Sequence, residues 1–475
     1  MTKISSRNDF ECYAGAAGSR LDKWLPAAAA VFLLVLLGLE LQTIFRIDVW
    51  RHDAVYYFDT YQFKLVQEGR WIIYFLFPLL QKIPAHLSIL LHLACLWFFG
   101  YCCCKYFTKD RAFAAVFGLA LLQVHPYFSI FGWPVTSLST LITLAALAAA
   151  CHKMPLPLFF LVAGILFHGQ FNNFYDLLPL LFLREINDRG LKYFIWLLFL
   201  WCLGFLIGYG VAESVVYLES GQLITISSWR APHPVKNFGD LVFNINRMAE
   251  FCRTHLETLL LRRTTQAALG LGLLLPLFAK YRDRAGLARL YAALLGVALS
   301  VYIQTCPIGI KVHLRTVFPL YIGLLSVFIL GYREHMKEIA VLLLCAAAFG
   351  LFQDDLRTVR YHYTVTSELK NEFQKLYSDP SQFKGVKFSA TNDEMGKCVE
   401  IIMRENHLEN KLTEGFGSAM RWCPTAQSSG FADVTYESVS AALPPAAPDK
   451  MYRSKAENGY LVVGINQAYL AAHGE

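Results

Sequence analysis

Charged side chains are scarce in this chain of 475 residues. Asp, Glu, Lys and Arg make up 17% of it, whereas soluble domains average about 25%. Hydrophobic residues reach 55% and the mean hydropathy is +0.39, and both are too high for a soluble enzyme of this length. The composition therefore excludes a plain cytosolic enzyme, a disordered protein and a disulfide scaffold. It favours a polytopic membrane protein with some soluble mass attached.

The chain also lacks the common motifs of phosphate, dinucleotide, zinc and serine-hydrolase sites. No Walker A, GxGxxG, HExxH or GxSxG sequence occurs, and no two cysteines have CxxC spacing. The twelve cysteines lie mostly in apolar runs, which is typical of small buried side chains. The net charge of +7 comes with no basic tract, so we expect no nucleic-acid partner. We expect no cofactor. A divalent cation is the one alternative left open, although nothing in the sequence supports it.

Apolar runs alternate with short polar segments through most of the chain. A polar tail, 1–24, precedes an apolar run without a cleavage site, which predicts a signal anchor. Eleven membrane helices are predicted, at residues 25–45, 84–104, 112–126, 134–151, 155–168, 172–183, 192–213, 265–280, 285–303, 316–332 and 338–353. The runs beginning at 112, 155 and 172 are shorter than the roughly 17–25 residues that a span needs. The predicted fold class is mainly α, a polytopic helix bundle over 25–353.

Lys and Arg are unevenly distributed between the two sides of this bundle. The segments on the side of the N-terminus carry them at more than twice the density of the segments opposite. The positive-inside rule then places the N-terminus in the cytoplasm and, with an odd number of spans, the C-terminal region outside. Long outward loops are predicted at 46–83 and 214–264.

Residues 354–475 have a different character, because charges return and the apolar runs shorten. Helices are predicted near 355–378 and 392–406, and the sequence GYLVVGIN at 459–466 predicts a buried strand. This region is expected to form a small soluble α/β or α+β domain.

The first outward loop combines acidic, basic and aromatic residues. Asp48, Asp53 and Asp59 lie close in sequence to His52 and Arg70, with several Tyr residues between them. A carboxylate at a membrane surface can act as a general base where burial and neighbours adjust its pKa. The same residues also fit an interfacial aromatic belt with solvated charges, so the composition of the loop leaves both interpretations open.

Three short motifs, taken in their order along the chain, resemble a known family. His52 and Asp53 are followed, about sixteen residues later, by the sequence Gly-Arg-Trp at 69–71. The segment HGQFNN at 168–173 and the segment KVHLRTVFP at 311–319 follow in later outward loops. This layout resembles the membrane glucosyltransferases of the GT-C class that modify O-antigen in serotype-converting bacteria and phages. That family carries an Asp-Asp pair where this chain has His52 and Asp53.

The resemblance implies a reaction and a location. The donor would be polyprenyl-phosphate glucose or a similar lipid-linked sugar, and the acceptor a lipid-linked glycan such as O-antigen. Transfer in this class inverts the anomeric centre in one displacement. The expected location is a bacterial inner membrane with the N-terminus cytoplasmic and residues 354–475 periplasmic. A donor-synthesising transferase and a flippase are further possible partners.

The resemblance also assigns roles to individual residues. Asp53 is the candidate catalytic base, because His52 occupies the other position of the acidic pair. The leaving phosphate needs a cation, and a planar guanidinium suits it best. Uncharged amides would hold sugar hydroxyls. The full set of predicted substrate-binding residues is His52, Asp59, Arg70, Gln170, Asn172, Asn173, Arg247 and Arg315.

Two other classes of membrane protein remain as alternatives. A transporter or flippase of lipid-linked sugars would carry ionisable residues in the middle of its helices and inverted repeats. An O-antigen ligase or polymerase would carry its large Arg- and His-rich loop late in the chain. The acidic loop comes first here and the predicted helices hold few charges, which favours the glycosyltransferase.

Overall fold

The computed structural model describes residues 8–46, 62–80, 82–124, 134–226, 230–278, 284–332, 336–408, 426, 429–431, 433–437, 439–440 and 442–474. Over these residues the chain is mainly helical, with a four-stranded sheet near its C-terminus. The predicted class, a helix bundle followed by a small domain that contains a sheet, agrees with this architecture.

The bundle is built from helices of very different lengths. Its first half contains α1 (Asn8–Ile44), α2 (Gln62–Glu68), α3 (Trp71–Leu80), α4 (Ala85–Thr108), α5 (Arg111–Leu121), α6 (Pro134–Ala150), α7 (Leu156–His168), a 3-10 helix (Asn172–Phe182) and α8 (Leu183–Ser220). Its second half contains α9 (Phe238–Leu259), α10 (Arg263–Phe278), α11 (Arg284–Thr305), a 3-10 turn (Leu314–Thr316), α12 (Phe318–Leu325), α13 (Val327–Gly331) and α14 (Lys337–Gln374). One hydrophobic core runs through the bundle from α1 to α14.

Five segments of the described chain are long and apolar enough to cross a membrane. They are Trp24–Ile44, His86–Thr108, Asn172–Ser220, Arg284–Thr305 and Lys337–Gln374. The predicted number of eleven is not confirmed, because several other apolar helices have only 10–17 residues. At 1.5 Å per residue such a helix is shorter than the roughly 30 Å hydrocarbon layer. The long apolar helices nevertheless indicate a membrane protein.

Three helices occur inside segments that were predicted as outward loops, and the first of them is the short α2, within 46–83. The apolar α3 lies within the predicted loop 46–83, and the amphipathic α9 lies within 214–264. Conversely, a loop expected between the predicted spans 172–183 and 192–213 is replaced by continuous helical structure. The chain is divided there only by Gly190, whose φ of 80° and ψ of −170° break the helix. Such a backbone conformation favours glycine.

Close packing of α7 on α8 depends on glycine. Gly204 and Gly208 are four residues apart on α8, and both lie against Gly164 of α7. A Cβ atom at any of the three would overlap backbone atoms of the opposite helix. This small-xxx-small pattern lets helix backbones approach closely, which is a common way of packing helices in membranes. The 3-10 helix that follows α7 is thereby held against α8.

The C-terminal region adds a 3-10 turn (Pro380–Gln382), β1 (Gly385–Ser389), α15 (Asn392–Glu405), β2 (Asp433–Glu437), β3 (Tyr452–Glu457), β4 (Tyr460–Ile465) and α16 (Gln467–His473). The strand order is β2-β1-β4-β3, with β1 parallel to both β2 and β4 and with β3 antiparallel to β4. The predicted buried strand at 459–466 corresponds to β4, an interior strand. Asn458 and Gly459 make the turn between β3 and β4 with φ of 52° and 82°, as two-residue hairpins require.

The long helix α14 joins the bundle to this sheet without a break. Its first half belongs to the core of the bundle. Its second half contributes Tyr361, Val365, Leu369 and Phe373 to the core of the C-terminal region. The predicted boundary between residues 353 and 354 therefore falls within a continuous helix.

Candidate functional site

Five segments that are distant in sequence enclose one cavity at the end of the bundle where α7 and α11 end and α12 begins. They are α2 with the residues after it, the segment 168–174, the middle of α8, the segment before α9 and the segment 301–318. The cavity has a volume of about 190 Å³, room for roughly a dozen water molecules. The segments 46–83, 167–173, 214–264 and 304–315, which the charge pattern assigned to one side of the membrane, all contribute to it.

Basic side chains dominate the polar part of the lining. Five cations contribute, namely Lys64, Arg70, Arg230, Lys311 and Arg315. Glu68 is the only carboxylate among the described residues that line the cavity. The remaining wall is largely apolar and includes Phe171, Phe174, Phe205, Ile310 and Phe318. A cavity of this composition suits a ligand that has both an anionic group and apolar or weakly polar parts.

Glu68 is the centre of the ionic interactions in the cavity. Lys64 donates a hydrogen bond to its Oε1, one turn away on α2, and Arg70 pairs with its Oε2. Arg230 Nη2 lies 3.1 Å from Oε1. The side chains of Lys64 and Glu68 are only 4% and 5% exposed, so these charges interact with little screening by water.

Burial and charge act in opposite directions on the ionisation of these groups. Removal from water alone would raise the pKa of the Glu68 carboxyl, but Arg70, Lys64 and Arg230 hold that pKa well below its usual range. For Lys64 burial has the larger influence and lowers the pKa of the ammonium group to about 8, although Glu68 opposes this change. Glu68 is therefore ionised at neutral pH, and Lys64 loses its proton just above neutrality.

The Gly-Arg-Trp motif forms the corner between α2 and α3. Gly69 has a φ of +68°, and a Cβ atom there would lie 2.6 Å from the side chain of Ile224. Glycine is therefore required at this turn. The turn directs Arg70 into the cavity, where its guanidinium carbon lies 3.8 Å from the centre of the Phe171 ring. Arg70 thus lies beside Phe171 of the HGQFNN segment, and its predicted contact with the leaving phosphate stays a prediction.

Backbone pairing positions the cations of the later segments. The amide of Lys311 donates to the carbonyl of Arg230 at 2.8 Å, and the amide of His233 donates to the carbonyl of Ile308 at 2.8 Å. The segment before α9 thus lies beside the segment after α11. This pairing brings Arg230 and Lys311 to the same wall, with Arg315 four residues further on.

Arg247 supports this pairing rather than lining the cavity. Its Nη1 donates to the carbonyls of Ala231 at 3.0 Å and Gly309 at 2.7 Å. Asn244, fully buried one turn earlier on α9, donates in the same way to His233 and Cys306. Arg247 connects two loops outside the lining of this cavity, and its predicted phosphate contact stays a prediction.

The predicted sugar-binding amides separate into two groups. Asn172 and Asn173 line the cavity, and Asn173 Nδ2 lies 3.5 Å from the carbonyl of Thr316. Gln170 does not line the cavity. Its Nε2 donates to Thr143 Oγ1 at 3.1 Å and to the carbonyl of Leu166 at 3.2 Å, inside the bundle. Asn172 and Asn173 thus line the cavity while Gln170 of the same motif does not, a division that the sequence alone does not reveal.

An uncharged polar group lies on the wall formed by α11. Gln304 lines the cavity and donates through Nε2 to Asp176 Oδ2 at 2.8 Å. Asp176 is fully buried in the 3-10 helix. His168 also lines the cavity, and its Nε2 is buried without a hydrogen-bond partner among the described residues. Neither Gln304 nor His168 was predicted as a site residue.

The predicted acidic residues of the first loop, Asp53 and Asp59, and the adjacent His52 lie outside the described residues. The described chain resumes at Gln62, and Lys64 already lines the cavity. Within the described ranges, no group of three or more His, Cys, Asp or Glu residues could hold a metal ion.

Comparisons with protein-family models, with curated proteins and with solved structures find no match to this chain. The function has to be inferred from the cavity and the sequence motifs.

Several lining residues were missed by reasoning from the sequence. A Lys and a Glu four residues apart directly before Gly-Arg, at positions 64 and 68, form a local signal that could have been used. For Arg230 no local signal exists. It shares its loop with Arg247 and other basic residues, and only the fold shows which of them reaches Glu68.

Proposed function

We propose that this protein is an integral membrane glycosyltransferase. It transfers a sugar from a polyprenyl-phosphate donor to a lipid-linked glycan such as O-antigen, on the outer face of a bacterial inner membrane. One observation carries the proposal: the basic cavity lined by Lys64, Arg70, Arg230, Lys311 and Arg315 opens within an apolar helix bundle. The phosphate of a membrane lipid is an anion that such a site can bind from within the bilayer.

The proposed reaction assigns a task to each part of the cavity. The hydroxyl oxygen of the acceptor attacks the anomeric carbon of the donor, and the bond between that carbon and the phosphate oxygen breaks. The phosphate leaves with the electron pair and is stabilised by the guanidinium groups of Arg70 and Arg315. The proton of the acceptor hydroxyl passes to Asp53, the proposed general base. Asn172 and Asn173 hold hydroxyls of the sugar.

The direct test is transfer by the purified protein in lipid nanodiscs. Radiolabelled polyprenyl-phosphate glucose and a lipid-linked O-antigen acceptor are incubated with wild-type protein and two variants. Asp53→Asn and Arg230→Gln are expected to lose transfer while accumulating in the membrane at normal levels. Arg253→Gln is the matched control, because Arg253 lies on the exposed face of α9 and, within the described part of the chain, pairs with Glu257 one turn away. Wild-type transfer by Asp53→Asn would remove Asp53 as the base.

Analysis of the host surface glycan with and without the gene completes this test. The proposal requires that a sugar substituent disappear from the polysaccharide when the gene is deleted. An unchanged glycan, together with no transfer in nanodiscs, would refute a glycosyltransferase function.

A second candidate, a transporter or flippase of lipid-linked sugars, is favoured by one feature of the bundle. Glu40 and Asp355 are buried in the long helices α1 and α14, and Asp176 is buried in the 3-10 helix, with exposures of 2%, 1% and 0%. Ionisable residues at such positions are costly and commonly mark transport pathways in membranes. A scrambling assay with fluorescent polyprenyl-phosphate sugar in liposomes separates the two candidates. A transporter moves the lipid between leaflets without acceptor, whereas a glycosyltransferase releases lipid phosphate only when acceptor is present.

A further inference from the structure

We infer that Gln304, oriented by Asp176, accepts a hydrogen bond from a sugar hydroxyl and so forms a sugar-binding subsite separate from the phosphate-binding cations. This inference rests on the proposed function, since it concerns the sugar of a lipid-phosphate sugar held in the same cavity. It assigns specificity for the sugar to a residue near the C-terminal end of α11.

The orientation of the Gln304 amide follows from its one fixed contact. Its Nε2 donates to Asp176 Oδ2 at 2.8 Å. This carboxyl oxygen accepts from the NH₂ side of the Gln304 amide, so the carbonyl side is the branch of the amide that is left over. The two branches of an amide diverge by roughly 120°, so Oε1 is directed away from Asp176. Because Gln304 is half-buried and lines the cavity, Oε1 is the atom that remains for a ligand.

Asp176 is well placed to hold this orientation. It is fully buried in the 3-10 helix and does not itself line the cavity. A charged or polar group at such depth is retained at a cost in free energy unless it has partners. Gln304 supplies one of these partners, and the contact joins the 3-10 helix to α11 directly beside the cavity. Asp176 therefore acts as a positioning residue, and Gln304 is the residue that contacts the ligand.

The rest of the cavity has a surplus of hydrogen-bond donors. Lys and Arg side chains donate and never accept, and Glu68 is already engaged by Lys64, Arg70 and Arg230. This surplus suits a phosphate, whose oxygens only accept. A sugar differs because each of its hydroxyl groups also carries a proton to donate. The carbonyl oxygen of Gln304 offers an acceptor for one of these protons, on a wall that has no charged residue.

Gln170, the glutamine that the sequence motif predicted for this role, does not line the cavity. Its amide is 3% exposed and bonds within the bundle to Thr143 and Leu166. Gln304 has the same functional group on the cavity wall. The chemistry expected of Gln170 is thus available from a residue in a different helix.

The experiment compares the binding of two lipids to full-length protein in nanodiscs, polyprenyl-phosphate glucose and polyprenyl phosphate without sugar. Gln304→Met keeps the length of the side chain but removes the amide. It is expected to weaken binding of the glucose lipid by about 3- to 10-fold, the range of one neutral hydrogen bond, and to leave binding of polyprenyl phosphate unchanged. Gln266→Met is the matched control, because Gln266 lies on α10 away from the cavity. It should alter neither affinity.

Asp176→Asn tests the positioning role separately. The substitution replaces one of the two carboxyl oxygens with an NH₂ group, so the acceptor that holds Gln304 Nε2 is weakened. The affinity for the glucose lipid should fall by a smaller factor than in Gln304→Met, again without change for polyprenyl phosphate. A purely structural defect would weaken the binding of both lipids. Thermal unfolding shows whether each variant is folded.

The outcomes separate this inference from the proposed function. If Gln304→Met weakens the binding of both lipids equally, or of neither, the sugar subsite is refuted even when wild-type protein transfers sugar. If the lipid selectivity follows the expectation but no acceptor receives sugar, the subsite stands and the glycosyltransferase proposal fails. If wild-type protein binds neither lipid, both are refuted.

Discussion

Arg230 Nη2 lies 3.1 Å from Glu68 Oε1, although the two residues belong to different predicted loops on either side of seven described helices. Together with Lys64 and Arg70, this contact makes Glu68 the counter-charge of a buried basic cluster. The cluster connects the segment after α1 to the segment before α9, and it forms one wall of the cavity.

Glu68→Gln should destabilise the protein, because Lys64, Arg70 and the partly exposed Arg230 would lose their shared counter-charge. Removal of one partner of a buried ion pair costs about 3 kcal/mol or more. Thermal unfolding in detergent should therefore begin at a clearly lower temperature, and a saturating phosphate-containing lipid should restore part of the loss. Glu257→Gln serves as the control, since Glu257 and its partner Arg253 are both largely exposed. Equal unfolding temperatures of the two variants would contradict the buried cluster.

Binding of polyprenyl-phosphate glucose should weaken as the pH rises through about 8. Burial lowers the pKa of Lys64 to about 8, so its ammonium group is charged below that pH and neutral above it. A phosphodiester carries one negative charge throughout this range and binds better to the charged form. The dissociation constant should therefore be flat below pH 7 and increase between pH 7.5 and 9. Lys64→Gln should bind more weakly and lose this dependence, and an unchanged profile in that variant would assign the titration elsewhere.

Arg315→Ala should lower transfer by about 100-fold, the typical effect of removing a group that stabilises charge in the transition state. Arg315→Lys should recover only part of the rate, because an ammonium group cannot make the planar two-point contact of a guanidinium. Arg247→Lys is a useful comparison, since Arg247 bonds backbone carbonyls outside the cavity and should affect stability more than rate. Equal rates for Arg, Lys and Ala at position 315 would indicate an ordinary interfacial residue.

Gly164→Ala should destabilise the packing of α7 on α8 by about 2 kcal/mol, since the added methyl group would meet the backbone at Gly204. Gly210→Ala is the matched control, and it lies on α8, the helix against which Gly164 packs. A Cβ atom there meets nothing within 4 Å, and alanine favours helix by about 1 kcal/mol over glycine. Unfolding in mixed detergent should therefore show Gly164→Ala as the least stable protein, wild type as intermediate and Gly210→Ala as the most stable. A Gly164→Ala protein as stable as Gly210→Ala would argue against the close contact.

The C-terminal region should lie on the same side of the membrane as the cavity. Arg262 lies at the end of the predicted loop 214–264, and its Nε is 2.6 Å from Asp354 Oδ1 in the middle of α14. From there α14 continues to the C-terminal region that contains the sheet. An alkaline phosphatase fusion at residue 475 should be active and a fluorescent-protein fusion dark, since we expect that side to be periplasmic. The reverse result would place both the cavity and the C-terminal region in the cytoplasm.

The sequence alone determined the class of the protein and most of its helices. Apolar runs such as 265–280 and 285–303 correspond to α10 and α11 within a few residues, because burial in lipid or in the core requires continuous apolar sequence. The buried strand at 459–466 was recognisable for the same reason. The number of spans was not, since the length of an apolar run does not show whether a helix crosses the membrane or ends within the bundle.

Only the tertiary structure decided which polar residues meet in the cavity. Arg70 and Arg315 could be proposed from local motifs, whereas Arg230 and Gln304 depend on contacts between segments far apart in sequence. A side chain's direction in an irregular loop is set by packing and by backbone hydrogen bonds, not by its neighbours in the chain. For that physical reason the motifs predicted Gln170 and Arg247 as substrate-binding residues, whereas the fold places Gln304 and Arg230 in the lining of the cavity.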